Sequence, residues 1–300
     1  VATCSDVALN YSLDALLTSS GDTFTYSVAS SDNVNVPAGS PRTVASGTNI
    51  TDVYTNTTNS QVTITYTITP ISSNGCVGST FSLAVTVNPE PVVTNQVAAT
   101  CSTVALNYSL DSLITGMGDA FTYSVVSSDG VNVTAGSPRT TASATNITDL
   151  YTNTTNAPVI LTYTVTSIGS NGCSGNPFNI TFTVHPNPIV LPISNFELCD
   201  DAADGNDTNG SVSFDLIQKN TEILGTQTGI TITYHLDPIE AVNGQNAITN
   251  IITTNRVIHV RLTNNVTGCF STTSFNLVVK PLPVVNAVVA LKQCDIDSDA

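Results

Sequence analysis

Hydrophobic and polar residues alternate with a period of two along most of this chain, the pattern of strands that bury one face and expose the other. The stretch TFTYSVAS sets Phe24, Tyr26 and Val28 on one face, QVTITYTIT sets Val62, Ile64, Tyr66 and Ile68, and FSLAVTV sets Phe81, Leu83, Val85 and Val87. The pattern returns at Phe121, Tyr123 and Val125, at Val159, Leu161, Tyr163 and Val165, at Ile230, Ile232 and Tyr234, and at Ile258, Val260 and Leu262. Threonine fills many of the outward positions, and turn clusters such as SSGD, PAGSP and SSNG separate the strands. Helical turns find room only near LDALL and DLIQKNTEIL. The fold class is all-β, and about seven short strands per unit of about 100 residues point to immunoglobulin-type β-sandwiches.

Sliding the chain against itself shows how many. Residues 4–93 superimpose on 101–190 at a shift of 97 without a gap, with 61 identities in 90 positions. A period near 100 residues fits a domain that folds by itself, whereas solenoid units run about 20 to 50. A third, diverged copy is marked by Cys199, ITITYH, Gly268-Cys269 and KPLPVV, and a fourth opens at Cys294. The expected domains are residues 1–91, 92–188 and 189–283, with 284–300 beginning the next. Pro89-Glu90-Pro91, Pro186-Asn187-Pro188 and Pro281-Leu282-Pro283 stand at the junctions, and Pro-x-Pro favours short, stiff, extended linkers.

Composition narrows the function. The 22 acids against 7 bases give a net charge of −15, which leaves few cations to displace phosphate counterions and excludes nucleic acid and anionic membranes as partners. No apolar run is long enough to span a bilayer, so no membrane insertion is expected of this segment. Copy one has no histidine, and the chain carries no phosphate-binding glycine loop, no GxSxG elbow and no motif-backed carboxylate pair. It is not expected to be an enzyme.

The cysteines repeat with the domains. Cys4 and Cys76, Cys101 and Cys173, and Cys199 and Cys269 are separated by 72, 72 and 70 residues, which suggests one disulfide inside each domain, free buried thiols being the alternative. Regular pairs in a lysine-poor chain fit an oxidising, extracytoplasmic setting. In copy three Cys199 precedes Phe214 by 15 residues where Cys4 precedes Tyr11 by 7. The added stretch holds Asp200, Asp201, Asp204, Asn206 and Asp207, with Asp215 just beyond. Oxygen ligands gathered on a glycine-containing turn suit Ca2+, and a solvated acidic turn is the alternative. Asp295, Asp297 and Asp299 repeat the theme after Cys294. Arg42 and Arg139 lie in matching GSPRT segments near Asp32, Asp52, Asp129 and Asp149, where surface ion pairs are expected, the fastening of one domain to the next being the alternative. The Asn-x-Ser/Thr sequons, Asn56 and Asn153 among them, are ascribed to composition.

The leading Cys, TNTTNxxVxxTYTxT, SNGC and VNPxPVV of copies one and two resemble the PKD-like domains that occur in tandem in very large surface proteins of Bacteroidetes. Copy three, with CDDAADGNDTNGSVSFDL and TGCFSTTSFNLVVKPLPVV, is similar to a companion repeat of gliding-motility adhesins. The absence of Trp sets the chain apart from ordinary PKD domains with a WDFGDG-type motif. The resemblance implies type IX secretion, display at the cell surface, and roles in adhesion or gliding. It brings no catalytic residues. The expected function is a structural repeat segment of a long extracellular filament or stalk. Its expected partners are other repeats of the same long chain, a surface or polysaccharide ligand, and neighbouring filaments through lateral association. The alternatives are an array of carbohydrate-binding modules, or spacers of a secreted enzyme.

Overall fold

A computed structural model describes residues 1–16, 22–47, 49–113, 120–202 and 205–284. Cys294, the Asp295–Asp299 stretch, Asp204 and all but the first residue of the fourth copy lie outside them. The chain divides into two compact units, Val1–His185 and Pro186–Ala300.

Copy one forms a five-stranded sheet from β1 (Ala2–Cys4), β2 (Thr23–Ser30), β3 (Arg42–Ser46), β4 (Val62–Ile71) and β5 (Phe81–Asn88), ordered β1-β5-β4-β2-β3. The β1–β5 pair is parallel and the other pairs are antiparallel. The second layer is irregular. Asp6, Leu9 and Tyr11 donate their backbone N–H groups to the carbonyls of Tyr54, Asp52 and Ile50, and Ile50 returns a bond to Tyr11. Between the layers Leu13, Val36, Ile50 and Tyr54 meet Phe24, Ile64, Tyr66, Ile68, Val85 and Val87 in one buried cluster. Strict alternation dictates this, since along β4 the buried positions are Val62, Ile64, Tyr66 and Ile68, with threonines at Thr63 and Thr67 exposed.

Copy two repeats the layout with β6 (Gln96–Cys101), β7 (Ala120–Ser127), β8 (Arg139–Ser143), β9 (Val159–Ile168) and β10 (Phe178–His185), ordered β6-β10-β9-β7-β8. Its parallel edge strand is longer than that of copy one, six residues against three.

Copy three has β11 (Phe196–Cys199), β13 (Ile230–His235), β15 (Arg256–Asn264) and β16 (Phe270–Lys280) in a sheet ordered β11-β16-β15-β13. β12 (Val212–Asp215) and β14 (Asn250–Thr253) form a second, two-stranded sheet, with Phe214 opposite Ile251. This pair stands where copies one and two have only the single bridges Tyr11–Ile50 and Tyr108–Ile147. The helical signal in DLIQKNTEIL becomes a 3-10 turn, Leu216–Lys219, running into α1 (Asn220–Leu224). A second helix, α2 (Pro238–Asn243), starts from the Asp237 cap with proline in its first turn. No helix of the described residues is long and apolar enough to cross a membrane.

Candidate functional site

In unit 1 the chemistry gathers at the seam between the first two sandwiches. Cys4 ends β1, opposite Asn88 at the end of β5, while Cys76 lies in the loop before β5 begins. Eight residues of strand at about 3.3 Å each separate the two ends by roughly 25 Å, far beyond the Cα separation of about 4.4–6.8 Å that a disulfide tolerates. A bond inside one domain is therefore ruled out by strand length. Cys4 is bonded instead to Cys173 of the next sandwich, with the Cα atoms 5.6 Å apart and 169 residues between them in sequence. Cys101 and Cys269, which hold the places of Cys4 in copy two and of Cys173 in copy three, are each in a disulfide as well. Cys76 and Cys199 are exposed free thiols. The expected pairs Cys4–Cys76, Cys101–Cys173 and Cys199–Cys269 are thus corrected: Cys173 is taken by Cys4, which strand length keeps away from Cys76, and Cys76 and Cys199 carry free thiols.

The loop carrying Cys173 is shaped to receive the linker. Gly169 N donates to Cys173 O (2.9 Å), Gly172 adopts a positive φ of 81°, and Cys173 N donates to the Asn171 side chain (2.9 Å). The Asn171 amide then donates to Pro89 O at 3.0 Å. A Cβ on Gly175 would lie 2.1 Å from the Pro91 carbonyl oxygen, so only glycine admits the linker at this point. Val93 packs on the core of copy two, and Asn179 N donates to the Asn95 side chain (2.8 Å). Pro89 and Pro91 are buried. Burial first, and then the nearby Asp6 carboxylate, push the Glu90 carboxyl above its usual range. In unit 2 the start of β16 meets the Pro-x-Pro segment, since Ser271 Oγ donates to Pro188 O (2.7 Å).

Two further constellations explain motifs that the sequence left as composition. Asn56 of TNTTN is buried. Its amide donates to Val87 O (2.8 Å) and Ser60 O (2.9 Å), and its side-chain oxygen accepts from the Thr58 N–H and hydroxyl. Its own N–H donates to Ser5 Oγ (2.9 Å), and Asn153 repeats every bond, with Ala157 in place of Ser60. These two asparagines fasten the irregular layer to the last strand. Asp52 accepts a 2.7 Å bond from the Tyr66 hydroxyl, which shares a 2.5 Å bond with Tyr54; Asp149, Tyr163 and Tyr151 match them. Burial pushes the Tyr54 phenol up to about 12 and raises Tyr66 and Tyr163 further. In copy two the Tyr151 hydroxyl accepts from Gly136 N (3.2 Å), where a Cβ would come within 2.7 Å of it.

Arg42 and Arg139 do not form the expected ion pairs with these aspartates. Their guanidinium groups lie over the Tyr26 and Tyr123 rings, 4.9 and 4.7 Å from the centroids, and donate to backbone carbonyls of the following turn, Asn49 and Asn146 among them. Arginine here staples a turn to a strand within one domain.

The aspartate-rich loop of copy three is divided. Asp200 is buried, with one carboxylate oxygen accepting from Gly210 N (2.7 Å) and the other unpartnered. Asp201, Asn206 and Asp207 are exposed, Asn206 accepts from Thr208, and Asp215 caps the 3-10 turn by accepting from Ile217 N. Among the described residues no three His, Cys, Asp or Glu side chains converge as a metal site would require. Lys219, which no sequence motif marks, is buried in the same copy. Its ammonium donates to Ser194 O and Oγ (2.9 Å each), to Asn195 O (3.3 Å) and to Glu222 (2.7 Å), beside the Phe196 and Phe275 rings. The Lys219 hydrogen bond holds the Glu222 carboxyl down to about 2.

Comparison with known proteins follows this division. The family described as "PKD-like domain" matches residues 1–91 and 98–188, and "Flavobacterium inter-domain disulphide bond domain" matches residues 195–283. No curated protein matches the chain. Among solved structures, the human desmocollin-1 ectodomain is 9% identical over 94% of this chain, which spans 60% of that one, with a TM-score of 0.21. Drosophila N-cadherin EC1-4 is 14% identical over 88% of this chain and 69% of its own, with a TM-score of 0.21. The FN1-FN3 domains of chicken CNTN1 are 9% identical over 85% and 88%, with a TM-score of 0.27.

Proposed function

Because this chain belongs to the PKD-like domain family over residues 1–91 and 98–188, we propose that it is a structural repeat segment of an extracellular stalk or filament that mediates cell-surface adhesion. One observation carries the reading: the covalent bond between Cys4 and Cys173, which joins one sandwich to the next across a buried proline linker. A disulfide of this kind persists in an oxidising compartment and would be reduced in most cytosols. Joining consecutive domains is of use to a protein whose task is reach, whereas an independent binding module gains nothing from being fastened to its neighbour. The acidic, threonine-rich surface keeps so long an assembly soluble. Gliding motility and type IX export are the finer readings that the family resemblance suggests.

The test is immunogold electron microscopy of intact cells that make the protein, with antibodies raised against residues 1–283. Label on structures extending beyond the outer surface, together with loss of attachment when Fab fragments are added, is the expected result. Label that appears only after the cells are opened would overturn the extracellular assignment. Surface label with unimpaired attachment would overturn adhesion and leave a spacer.

A further inference from the structure

Unit 1 carries the linker-holding loop twice, at 169–175, which meets the linker, and at 72–78, which is largely exposed. Loop 72–78 of copy one repeats loop 169–175 of copy two in backbone detail. Ser72 N donates to Cys76 O as Gly169 N does to Cys173 O, both at 2.9 Å. Gly75 and Gly172 have φ of 82° and 81°, and the bridge Ile71–Val77 matches Ile168–Ser174. Yet Asn74, Cys76 and Gly78 are exposed, while Cys173 and Gly175 are buried under the linker and Asn171 is half-buried there. Next to the open loop lies a groove of about 500 Å³ lined by Tyr11, Leu16, Pro70, Phe81 and Leu83. Phe81 is half-exposed in it, whereas the matching Phe178 of copy two is buried. In copy two the linker that follows Pro91 supplies Val93 to the core and Asn95 to the start of β10. In the third copy it is Ser271, at the start of β16, that donates to the Pro188 carbonyl of the Pro-x-Pro segment.

We propose that loop 72–78 and the groove beside it form a docking socket for a Pro-x-Pro-Val-Val segment of another PKD-like repeat, and that Cys76 forms a disulfide with the leading cysteine of that repeat. The inference rests on the stalk reading and names the contact by which repeats join. The occupant is fixed by the filled duplicate, where Pro89–Val93 and Cys4 take these places. Bond formation joins the two Sγ atoms and breaks the disulfide of a thiol oxidant, which takes up the two electrons and the two thiol protons and leaves as a dithiol. Cys76 is exposed and so accessible to that exchange.

The experiment places an additional copy of residues 1–97 directly before Val1 of the full chain, which continues the 97-residue period. Non-reducing peptide mapping should recover Cys76 bonded to the leading cysteine of the added copy. The rate of Cys76 alkylation under native conditions should fall at least about tenfold relative to the original chain. Cys76→Ser in the extended chain should return the added cysteine to the labelled pool. An extended chain that leaves Cys76 labelled, or bonds it to Cys199, overturns the proposal. Since an extended chain could fail to fold, the parent protein isolated from its own cells provides the second measurement. Cys76 joined to a leading cysteine of another repeat sustains the socket, and a free Cys76 removes it. Surface display with a free Cys76 would leave the stalk reading standing while this inference fails.

Discussion

Cys4 and Cys173 are bonded across the seam between two sandwiches, 169 residues apart in sequence and 5.6 Å apart at Cα. Closing a loop of that length stabilises the folded state by about 5 kcal/mol on the chain-entropy treatment. Cys4→Ser should therefore lower the denaturant midpoint of unit 1 while leaving its far-UV spectrum intact. Non-reducing peptide mapping should yield Cys4–Cys173, and recovery of Cys4–Cys76 would contradict the strand-length argument.

Gly175 has the Pro91 carbonyl oxygen 2.1 Å from where a Cβ would sit, and Gly78, its counterpart in copy one, meets only the Pro70 ring at 3.0 Å. Gly175→Ala should cost about 1–3 kcal/mol by forcing backbone apart, and Gly78→Ala should cost less. The measurement is urea unfolding of both variants, and equal losses would show that the linker contact is not what requires glycine.

Asn56 makes two donor bonds and accepts two in a buried site. Asn56→Ala strands the carbonyl of Val87 without this partner and should destabilise copy one by about 2–3 kcal/mol, as Asn153→Ala should copy two. Asn56→Asp keeps the acceptor and loses the donor, and its penalty should be similar.

The paired tyrosines set an alkaline limit. An ordinary phenol titrates at 10.0, whereas Tyr54 is pushed up to about 12 and Tyr66 is raised further. The unfolded chain therefore sheds these protons first as pH rises, the native state binds more protons, and stability falls. Full stability is expected below pH 10, with progressive loss between 10 and 12. Absorbance at 295 nm should show the buried tyrosines ionising together with unfolding, and a smooth titration in the folded state would contradict their burial.

Glu222 gives the opposite sign in copy three. Its carboxyl is held at about 2 against an ordinary 4.5, so the stability it contributes is present above pH 4.5 and is lost as pH falls towards 2. Glu222→Gln should flatten the acid limb of the melting-temperature profile, and an unchanged limb would assign it to other groups.

The strands were legible because burial of one face imposes a period of two, and the duplication was legible because 97 separates identical blocks. Cysteine pairing was not, since spacing along the chain says nothing about which end of a sheet each residue occupies. Only the register Cys4–Asn88 shows that the leading cysteine faces the linker. Asn56 and Asp52 were hidden for a related reason: their partners are carbonyls and hydroxyls whose positions exist only after folding. The acidic stretch reads as a calcium loop; of its residues, Asp200 accepts from Gly210 N, Asp215 caps a helical turn, and Asp204 lies outside the described residues.

The seam bond also decides what happens when the chain is pulled from its ends. Tension arriving at Cys4 crosses directly to Cys173, and residues 5–172, with the first sandwich and the linker among them, lie off that covalent route. At about 3.3–3.6 Å per residue, 169 residues amount to roughly 600 Å of slack that cannot be drawn out while the bond stands. Under strain such a segment behaves as a nearly inextensible tether, and reducing one bond would release its length.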